Sequence, residues 1–340
     1  MENKIELWVN NNPYVRVELS SEDVTLTESI DGIAYTLNAT ITNTSQIQNL
    51  HISKNTPVEL YGYHYSLGSY WLLFKGCVWE CDLDKTRNVL NIVAKERTIF
   101  LEESEEEFIF NDGETLTNRV KKIADYMEIP TSYLPDTVTK LSKDRRCEKI
   151  YSMIQKDIKE TASKGGGMYR VRIDEKLDIV EIGSNSPIYD ISSVVDSCSI
   201  KKTNKGLCTK VKVFGKNEST QDEIDDKTGE VKKQGNIVAS PVIAEFWSGS
   251  KQWVQKIVQD EKIKTVEEGK EKAHALFSDG EDMVICTTVE DINILRAGNK
   301  IALYGIVYII VDIEHKFGGK GKMKLTLMLE DAVRIKFYRE

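Results

Sequence analysis

Short segments of alternating apolar and polar residues dominate the first hundred positions of the chain. They lie at 5–9, 15–19 and 37–41, and two runs rich in aromatic and β-branched residues follow at 71–74 and 89–93. A period of two is typical of half-buried antiparallel strands. Turn-forming residues such as Asn10–Pro13 and Asp31-Gly32 separate these segments. Strands at this spacing are typical of a barrel or a sandwich, and we predict a first β-barrel domain over residues 1–100.

The pattern changes after Phe100, where helical spacing replaces alternation. The acidic run 102–107 is typical of a solvated boundary. Apolar residues then recur on one helical face until Pro130, and again before Gly165-Gly166-Gly167. These residues are Leu116, Val120, Ile123, Ala124 and Met127, and then Ile150, Ile154, Ile158 and Ala162. A hairpin over 168–182 completes an inserted α/β domain that we predict for residues 101–196.

Strand-like segments return in the last third of the chain. They include Lys210–Phe214, 301–313 and 323–329, while 215–235 is polar and predicts a long loop. Thr265-Val266-Glu267-Glu268 has the form of a capping box and predicts one helix over about 265–278. We therefore predict a second β-barrel domain over 197–340, in a mainly β fold with an α+β insertion.

The two strand-rich ends of the chain echo each other. Val58-Glu59-Leu60-Tyr61-Gly62 matches Ile301-Ala302-Leu303-Tyr304-Gly305, and each follows a turn that contains Asn. Two explanations remain open: both ends are copies of one barrel, or the match reflects the general pattern of β proteins. If the ends are copies, a ring of three chains presents six near-equivalent modules around its axis.

Charge and hydropathy exclude several classes of protein. The formal charge of −8 and a pI near 5.4 argue against a protein that binds nucleic acid by neutralising phosphates. The opening residues lack the apolar run of a signal peptide, and no apolar stretch has the length of a membrane span. We expect a protein made in the cytoplasm, with its six cysteines reduced and no membrane association.

Four segments together resemble a known family. They are the opening strands through Thr56–Gly62 with Phe74-Lys75-Gly76, the helix from Glu114-Thr115-Leu116 to Ile129, Gly167–Arg172, and Lys210–Gly215. Their order is similar to that in the baseplate hub proteins of PBSX-type defective prophages and of related contractile phage tails and bacteriocins. That family is similar in fold to phage late-control protein D, and the resemblance spans nearly the whole chain.

The resemblance implies a structural role without catalytic residues. It implies a homotrimer with two tube-like barrels, which joins the sixfold tail tube to the threefold central spike within the baseplate. We expect edge strands of neighbouring subunits to pair and close the ring, which removes exposed edges. We also expect part of the acidic surplus to line a lumen through which DNA or the tape measure passes without specific binding.

Catalytic and metal-binding motifs are absent from the sequence. The four histidines are dispersed, and the glycines at 165–167 lack the Lys-Ser/Thr of a phosphate-binding loop. Cys77 and Cys81 have no second pair at zinc-site spacing. Asp222, Asp225 and Asp226 do not have the spacing of a calcium loop. The sequence therefore predicts no catalytic, cofactor or metal site.

Two rival functions remain open at this stage. A tail-associated peptidoglycan hydrolase would need two carboxylates facing across a cleft, and the chain is rich in carboxylates. The middle α/β domain suggests a cell-wall-binding or carbohydrate-binding module as the second rival. Candidates for stacking on sugars are Tyr61, Trp247 and Trp253. Acidic composition and core packing are the simpler explanations of these residues.

Overall fold

The computed structural model describes most of the chain and divides it into two compact units. It describes residues 5–10, 14–19, 24–214, 223–224, 231–232, 242–249, 254–259, 263, 265–278, 280–317 and 321–339. The first unit comprises residues 1–201 and 283–340, and the second comprises 202–282.

The opening part of the chain contains seven strands and one short helix. In chain order they are β1 (Ile5–Asn10), β2 (Tyr14–Leu19), β3 (Val24–Ser29), β4 (Thr36–Thr42), α1 (Ser45–Asn49), β5 (Pro57–Tyr63), β6 (Tyr70–Asp84) and β7 (Val89–Lys95). Alternation explains the strands, because in β3 and β4 every second side chain is buried.

The middle part mixes helices with short strands. It comprises α2 (Ile99–Glu103), β8 (Glu105–Phe110), α3 (Leu116–Tyr126), β9 (Asp144–Lys149), α4 (Ile150–Ser163), β10 (Tyr169–Ile173), β11 (Leu177–Glu181) and β12 (Tyr189–Asp190). The predicted apolar face of α3 is buried at Leu116, Val120, Ile123 and Ala124. Thr115 and Asn118 form a capping box at its start.

The acidic run 102–107 is half-buried or exposed at every position, as the sequence indicated for a solvated segment. Its second half lies in β8, which pairs antiparallel with β9. Arg145 on β9 forms an ion pair with Glu107, and Lys149 lies 2.8 Å from Glu102. These two cationic partners lie about forty residues later in the chain, so the local sequence did not indicate them.

The rest of the chain returns to strands. It comprises β13 (Val195–Thr203), β14 (Lys210–Phe214), β15 (Glu223–Ile224), β16 (Val231–Lys232), β17 (Val242–Trp247), β18 (Gln255–Gln259), α5 (Val266–Leu276), β19 (Glu281–Thr288), β20 (Lys300–Leu303), β21 (Ile306–Lys316), β22 (Lys322–Met328) and α6 (Glu330–Phe337). The predicted helix at 265–278 is present as α5. Helix α6 was not predicted, and it buries Val333 where the sequence indicated only strands.

Thirteen strands of the opening, middle and closing parts form one sheet. The order is β13-β19-β22-β21-β3-β4-β7-β6-β5-β1-β2, with β20 beside β21 and β12 beside β20. The pairings recorded for the neighbours from β19 to β2 are antiparallel, whereas β12 and β20 run parallel. Strands at the two ends of the chain are therefore neighbours in a single sheet.

The second unit has its own small core. Strand β14 lies between β17, which is antiparallel to it, and β18, which is parallel. Cys208, Val211, Val213, Ala244 and Ala273 form this core. Of the polar segment 215–235, the structure describes residues 223–224 and 231–232, which form β15 and β16 and pair antiparallel.

The prediction of a mainly β chain is confirmed, but the pairing forms no closed barrel in the described part of the chain. Strand β21 of the closing part pairs with β3 of the opening part, so strands from both parts share this open sheet. The boundaries 1–100, 101–196 and 197–340 stay a prediction. Among the residues that the structure describes, no helix combines the length and apolarity needed to span a membrane.

Candidate functional site

Two groups of five strands in the sheet share one topology. We call β3, β4, β5, β6 and β7 the opening module, and β13, β19, β20, β21 and β22 the closing module. The spatial order is β3-β4-β7-β6-β5 in the first and β13-β19-β22-β21-β20 in the second. If the five strands of each module are numbered in chain order, both modules have the spatial order 1-2-5-4-3.

The echo in the sequence coincides with the same backbone turn in both modules. Asn55 has a φ of 65° and Gly298 a φ of 91°. The amide of Asn55 donates to the carbonyl of Val78 at 2.8 Å, and that of Gly298 donates to the carbonyl of Ile310 at 2.8 Å. In return, the amide of Val78 donates to the carbonyl of Thr56, and the amide of Ile310 donates to the carbonyl of Asn299, each at 2.9 Å.

A β-bulge follows at the same place in both modules. The register of β6 against β7 shifts between Val78 and Glu80, and that of β21 against β22 shifts between Ile310 and Asp312. A bulge is a specific local feature, which a general strand pattern does not require. Shared order, shared turn and shared bulge favour duplication as the explanation of the echo.

Strand β3 joins the two modules by pairing with the second half of β21. The pairs run from Asp312 opposite Ser29 to Lys316 opposite Thr25. The first half of β21 pairs with β20, so β3 fills the part of that edge that β20 leaves open. We call this β21–β3 contact the internal seam.

A buried carboxylate sits at the internal seam. Glu28 on β3 accepts hydrogen bonds from Arg296 at 2.6 and 2.7 Å and from the amide of Ala297 at 2.9 Å. Arg170 on β10 lies 3.1 Å from the same carboxylate. Burial opposes ionisation of Glu28, but Arg170, Arg296 and Arg172 overcome it and hold its pKa well below the usual range.

Neighbouring groups complete this buried charge cluster. The Arg296 guanidinium lies 3.8 Å from the centre of the Tyr35 ring and 3.4 Å from a carboxylate oxygen of Glu96. Burial raises the pKa of Tyr35. Burial together with Arg296 lowers the pKa of Arg172 to about 10. The cluster ties both modules and the β10–β11 hairpin together, so its chemistry is structural.

A second buried pair lies close to the seam. His315 Nδ1 lies 2.6 Å from Asp291 Oδ1, and His315 Nε2 lies 2.9 Å from the carbonyl of Leu295. A carbonyl only accepts, so Nε2 carries a proton, and an ionised Asp291 requires a proton on Nδ1 as well. Burial opposes this charge, but Asp291 raises the pKa of His315.

Two strand edges are exposed at positions that correspond to the internal seam. On β6, residues Glu80–Asp84 follow the bulge as Asp312–Lys316 do on β21, and within the described ranges they pair with β7 alone. Strand β13 corresponds to β3 and ends the sheet, with β19 as its neighbour. Leu83 on the first edge is 42% exposed, and Ile200 on the second is 68% exposed.

The face of the sheet opposite the apolar core is polar. Thr40 donates to Asn91 at 3.0 Å across β4 and β7, and Asn38 donates to Thr25 at 3.4 Å across β4 and β3. Glu80, Asp82, Asp312 and Glu314 add carboxylates there, and Lys322 and Lys324 add ammonium groups. This face has the composition of a solvated wall.

The histidines and cysteines weighed in the sequence do not converge on a site. His51 is exposed, His64 lies against Trp71, His274 lies against Phe246 and His315 is buried. Each of the six cysteines is free, and the Sγ atoms of Cys198 and Cys286 lie 3.4 Å apart. No group of potential metal ligands occurs among the residues with a described position. Asp222, Asp225 and Asp226 lie outside those residues.

The aromatic candidates and the glycines have separate structural roles. Tyr61 packs on Trp8 with ring centres 4.7 Å apart and donates to Glu59. Trp247 is 57% exposed at the end of β17, and Trp253 lies outside the described residues. Gly165, with a φ of 83°, follows the end of α4 as a left-handed cap.

A cleft of about 390 Å³ in the first unit is mostly apolar. Its lining comprises Asn55, Pro57, Gly76, Cys77, Arg97, Phe100, Leu101, Met127, Glu128, Ile129, Pro130, Ile173 and Glu175. Glu175 is paired with Lys75. The other carboxylate of the lining is Glu128.

The fold is shared with several solved phage tail proteins. The 43 kDa tail protein of prophage MuSo2 from Shewanella oneidensis has a TM-score of 0.68 at 12% identity, covering 97% of this chain and 99% of that one. A tail protein from Neisseria meningitidis MC58 has a TM-score of 0.69 at 12% identity, covering 99% of each chain. Prophage tail protein gp18 from Listeria monocytogenes EGD-e has a TM-score of 0.57 at 14% identity, covering 98% of this chain and 97% of that one.

Sequence comparison adds a family assignment. A family model described as YQBQ-like matches residues 24–328, which include both modules and the second unit. No curated protein matches the chain significantly. At the identities above, the structural likeness establishes the fold and leaves residue roles to the geometry.

Proposed function

The chain belongs to the YQBQ-like family, and we propose that it is a structural baseplate hub of a contractile phage tail or tail-derived bacteriocin, of the PBSX type. The observation that carries this proposal is the pair of like modules joined edge to edge in one chain. The solved proteins that share its fold are described as phage tail proteins, which supports the same role.

The hub would act as a symmetry adaptor. Three copies of a chain with two like modules place six similar sheets around one axis, while the inserted and second-unit segments repeat only three times. A sixfold tail tube then matches one side of the ring, and a threefold central spike matches the other. Other baseplate proteins would bind the outer surface of this homotrimer.

The polar face of the sheet would line the lumen of the ring. Carboxylates at Glu80, Asp82, Asp312 and Glu314 repel phosphates, so DNA or the tape measure passes without adhering. Lys322 and Lys324 on the same face keep the wall from being purely acidic. In this proposal the tube-like barrels form only when copies assemble, because each isolated sheet is open.

The proposed role is non-enzymatic, and its place is the tail baseplate of a particle assembled in the host bacterial cytoplasm. The buried Glu28 carboxylate is ion-paired with Arg296, and the buried His315 is hydrogen-bonded to Asp291. The cleft near Phe100 is apolar in most of its lining. These features favour assembly over peptidoglycan hydrolysis or binding to the cell wall.

Two measurements test the proposal. Light scattering is expected to give the mass of three chains for the purified protein. For its complex with the spike partner, the expected mass is that of three chains plus the spike. Imaging of the intact particle is expected to place that ring between tube and spike. A chain that stays monomeric on the spike, or that releases soluble fragments from purified cell walls, would refute the hub.

A further inference from the structure

We propose that Glu80–Asp84 on the open edge of β6 pairs antiparallel with β13 of a second copy of this chain, which repeats the internal seam between subunits. This inference rests on the proposed ring of like modules and identifies the contact that closes it. We call this β6–β13 contact the external seam.

The internal seam supplies the template for one side of the contact. In the closing module, the part of β21 that follows the bulge, Asp312–Lys316, pairs with β3. In the opening module, the matching part of β6 begins at Glu80, directly after the matching bulge. Aligning the two bulges makes Leu83 the counterpart of His315 and Asp82 the counterpart of Glu314.

The register within each module shows which residues of β13 correspond to residues of β3. Ile92 on β7 lies opposite both Cys81 and Ala39, as Leu325 on β22 lies opposite both Ile313 and Cys286. Ala39 therefore corresponds to Cys286.

Val24 on β3 lies opposite Ala39. Cys198 on β13 contacts Cys286, with a distance of 3.4 Å between the Sγ atoms. Val24 therefore corresponds to Cys198, and two positions further along each strand Leu26 corresponds to Ile200.

These correspondences fix the register of the external seam. His315 faces Leu26 in the internal seam, so Leu83 faces Ile200 of the next copy. Glu314 faces Thr27, so Asp82 faces Lys201 in the same way. Lys316 faces Thr25, which places Asp84 opposite Ser199.

The side chains brought together in this register are complementary. Leu83 and Ile200 are both exposed apolar residues that the contact would bury against each other. Asp82 and Lys201 carry opposite charges and are exposed, and within the described part of the chain neither has a side-chain partner. A directly opposed pair of opposite charges favours this register over one shifted by a residue.

The geometry also closes a ring. Each copy offers the β6 edge to one neighbour and the β13 edge to the other, so the contact is head-to-tail and generates a ring when the rotation closes. Pairing covers β13, an exposed edge of nine residues that would otherwise be a site of aggregation.

Disulfide trapping tests the register between chains. In a background with Cys81, Cys147 and Cys198 changed to Ser, one preparation carries Asp82→Cys and a second carries Lys201→Cys. Opposed Cα atoms of an antiparallel pair lie about 4.5–5.5 Å apart, within the range that a disulfide bridges. Mild oxidation of the mixture is expected to give a covalent dimer, and neither preparation alone is expected to give one.

The matched control mixes Asp82→Cys with Ser199→Cys, which is two positions out of register. That diagonal lies about 7–8 Å apart, beyond easy bridging. A dimer in the control that equals the dimer in the test mixture would overturn the register. Absence of a dimer in the test mixture would overturn the external seam itself.

The mass measurement separates this inference from the proposed function. A native trimer without the cross-link would leave the hub in place and refute the external seam. Conversely, a variant that carries both cysteines could form cross-linked oligomers of more than three copies. That result would support the external seam and refute the trimeric ring.

Discussion

The Arg296 guanidinium donates two hydrogen bonds, at 2.6 and 2.7 Å, to the buried carboxylate of Glu28. The two residues lie near opposite ends of the chain, one on β3 of the opening module and the other on the segment that leads to β20. Their bidentate geometry is the strong form of a charge-assisted hydrogen bond. This contact holds the two modules in register at the internal seam.

Replacement of Glu28 by Gln should strongly destabilise the first unit. The change removes the counter-charge of Arg170, Arg172 and Arg296, and breaking a buried ion pair on one side costs about 3–5 kcal/mol. Denaturant unfolding followed by fluorescence measures the free energy of unfolding. Glu103→Gln, at an exposed position outside both seams, is the control and should change it by less than about 0.5 kcal/mol. Equal effects would contradict a buried charge cluster at the seam.

Acid should weaken the native protein through the same carboxylate. The folded pKa of Glu28 lies below its ordinary value of 4.5. Its contribution to stability is therefore present above about pH 4.5 and is lost as the pH falls through the folded pKa. Unfolding measured across this range should show a steeper loss in the native protein than in Glu28→Gln. Identical slopes would mean that Glu28 ionises equally well in the unfolded chain.

Alkaline pH should weaken the native protein through His315. Asp291 holds the pKa of His315 above its ordinary value of 6.5. The stability that the charged imidazole contributes is fully present below about pH 6.5 and is lost as the pH rises through the folded pKa. His315→Gln should remove that part of the pH dependence, measured by thermal unfolding at a series of pH values. His51→Gln, at an exposed position, should retain it.

Charge reversal should disrupt and then restore association of subunits. Asp82→Lys and Lys201→Asp each place like charges opposite one another in the external seam, which costs roughly 0.2–1 kcal/mol for each strand pair. Each single variant should therefore dissociate at higher protein concentration than the native chain, measured by sedimentation. The double variant restores opposite charges and should associate as the native chain does. A double variant that associates more weakly than both single variants would argue against a direct Asp82–Lys201 contact.

Local pattern predicted much of the fold because it depends on neighbours in sequence. Alternation located β1, β2 and β4 of the opening part, and helical spacing located α3 and α4 with the correct buried faces. Strand β8 was missed because its Glu residues conceal the alternation of Phe108 and Phe110, which are buried. Helix α6 was missed because only Val333 is buried along it.

The sequence by itself determined that the chain is mainly β, where the inserted helices lie and that Val58–Gly62 resembles Ile301–Gly305, since each of these follows from residues close together in the chain. Only the tertiary structure decided that β21 pairs with β3 and that Glu28 contacts three arginines. It also decided that, among the described residues, Glu80–Asp84 of β6 and the end strand β13 each have one neighbouring strand. Pairing between strands hundreds of residues apart depends on which faces and edges remain available after local structure forms, and no local periodicity records that choice.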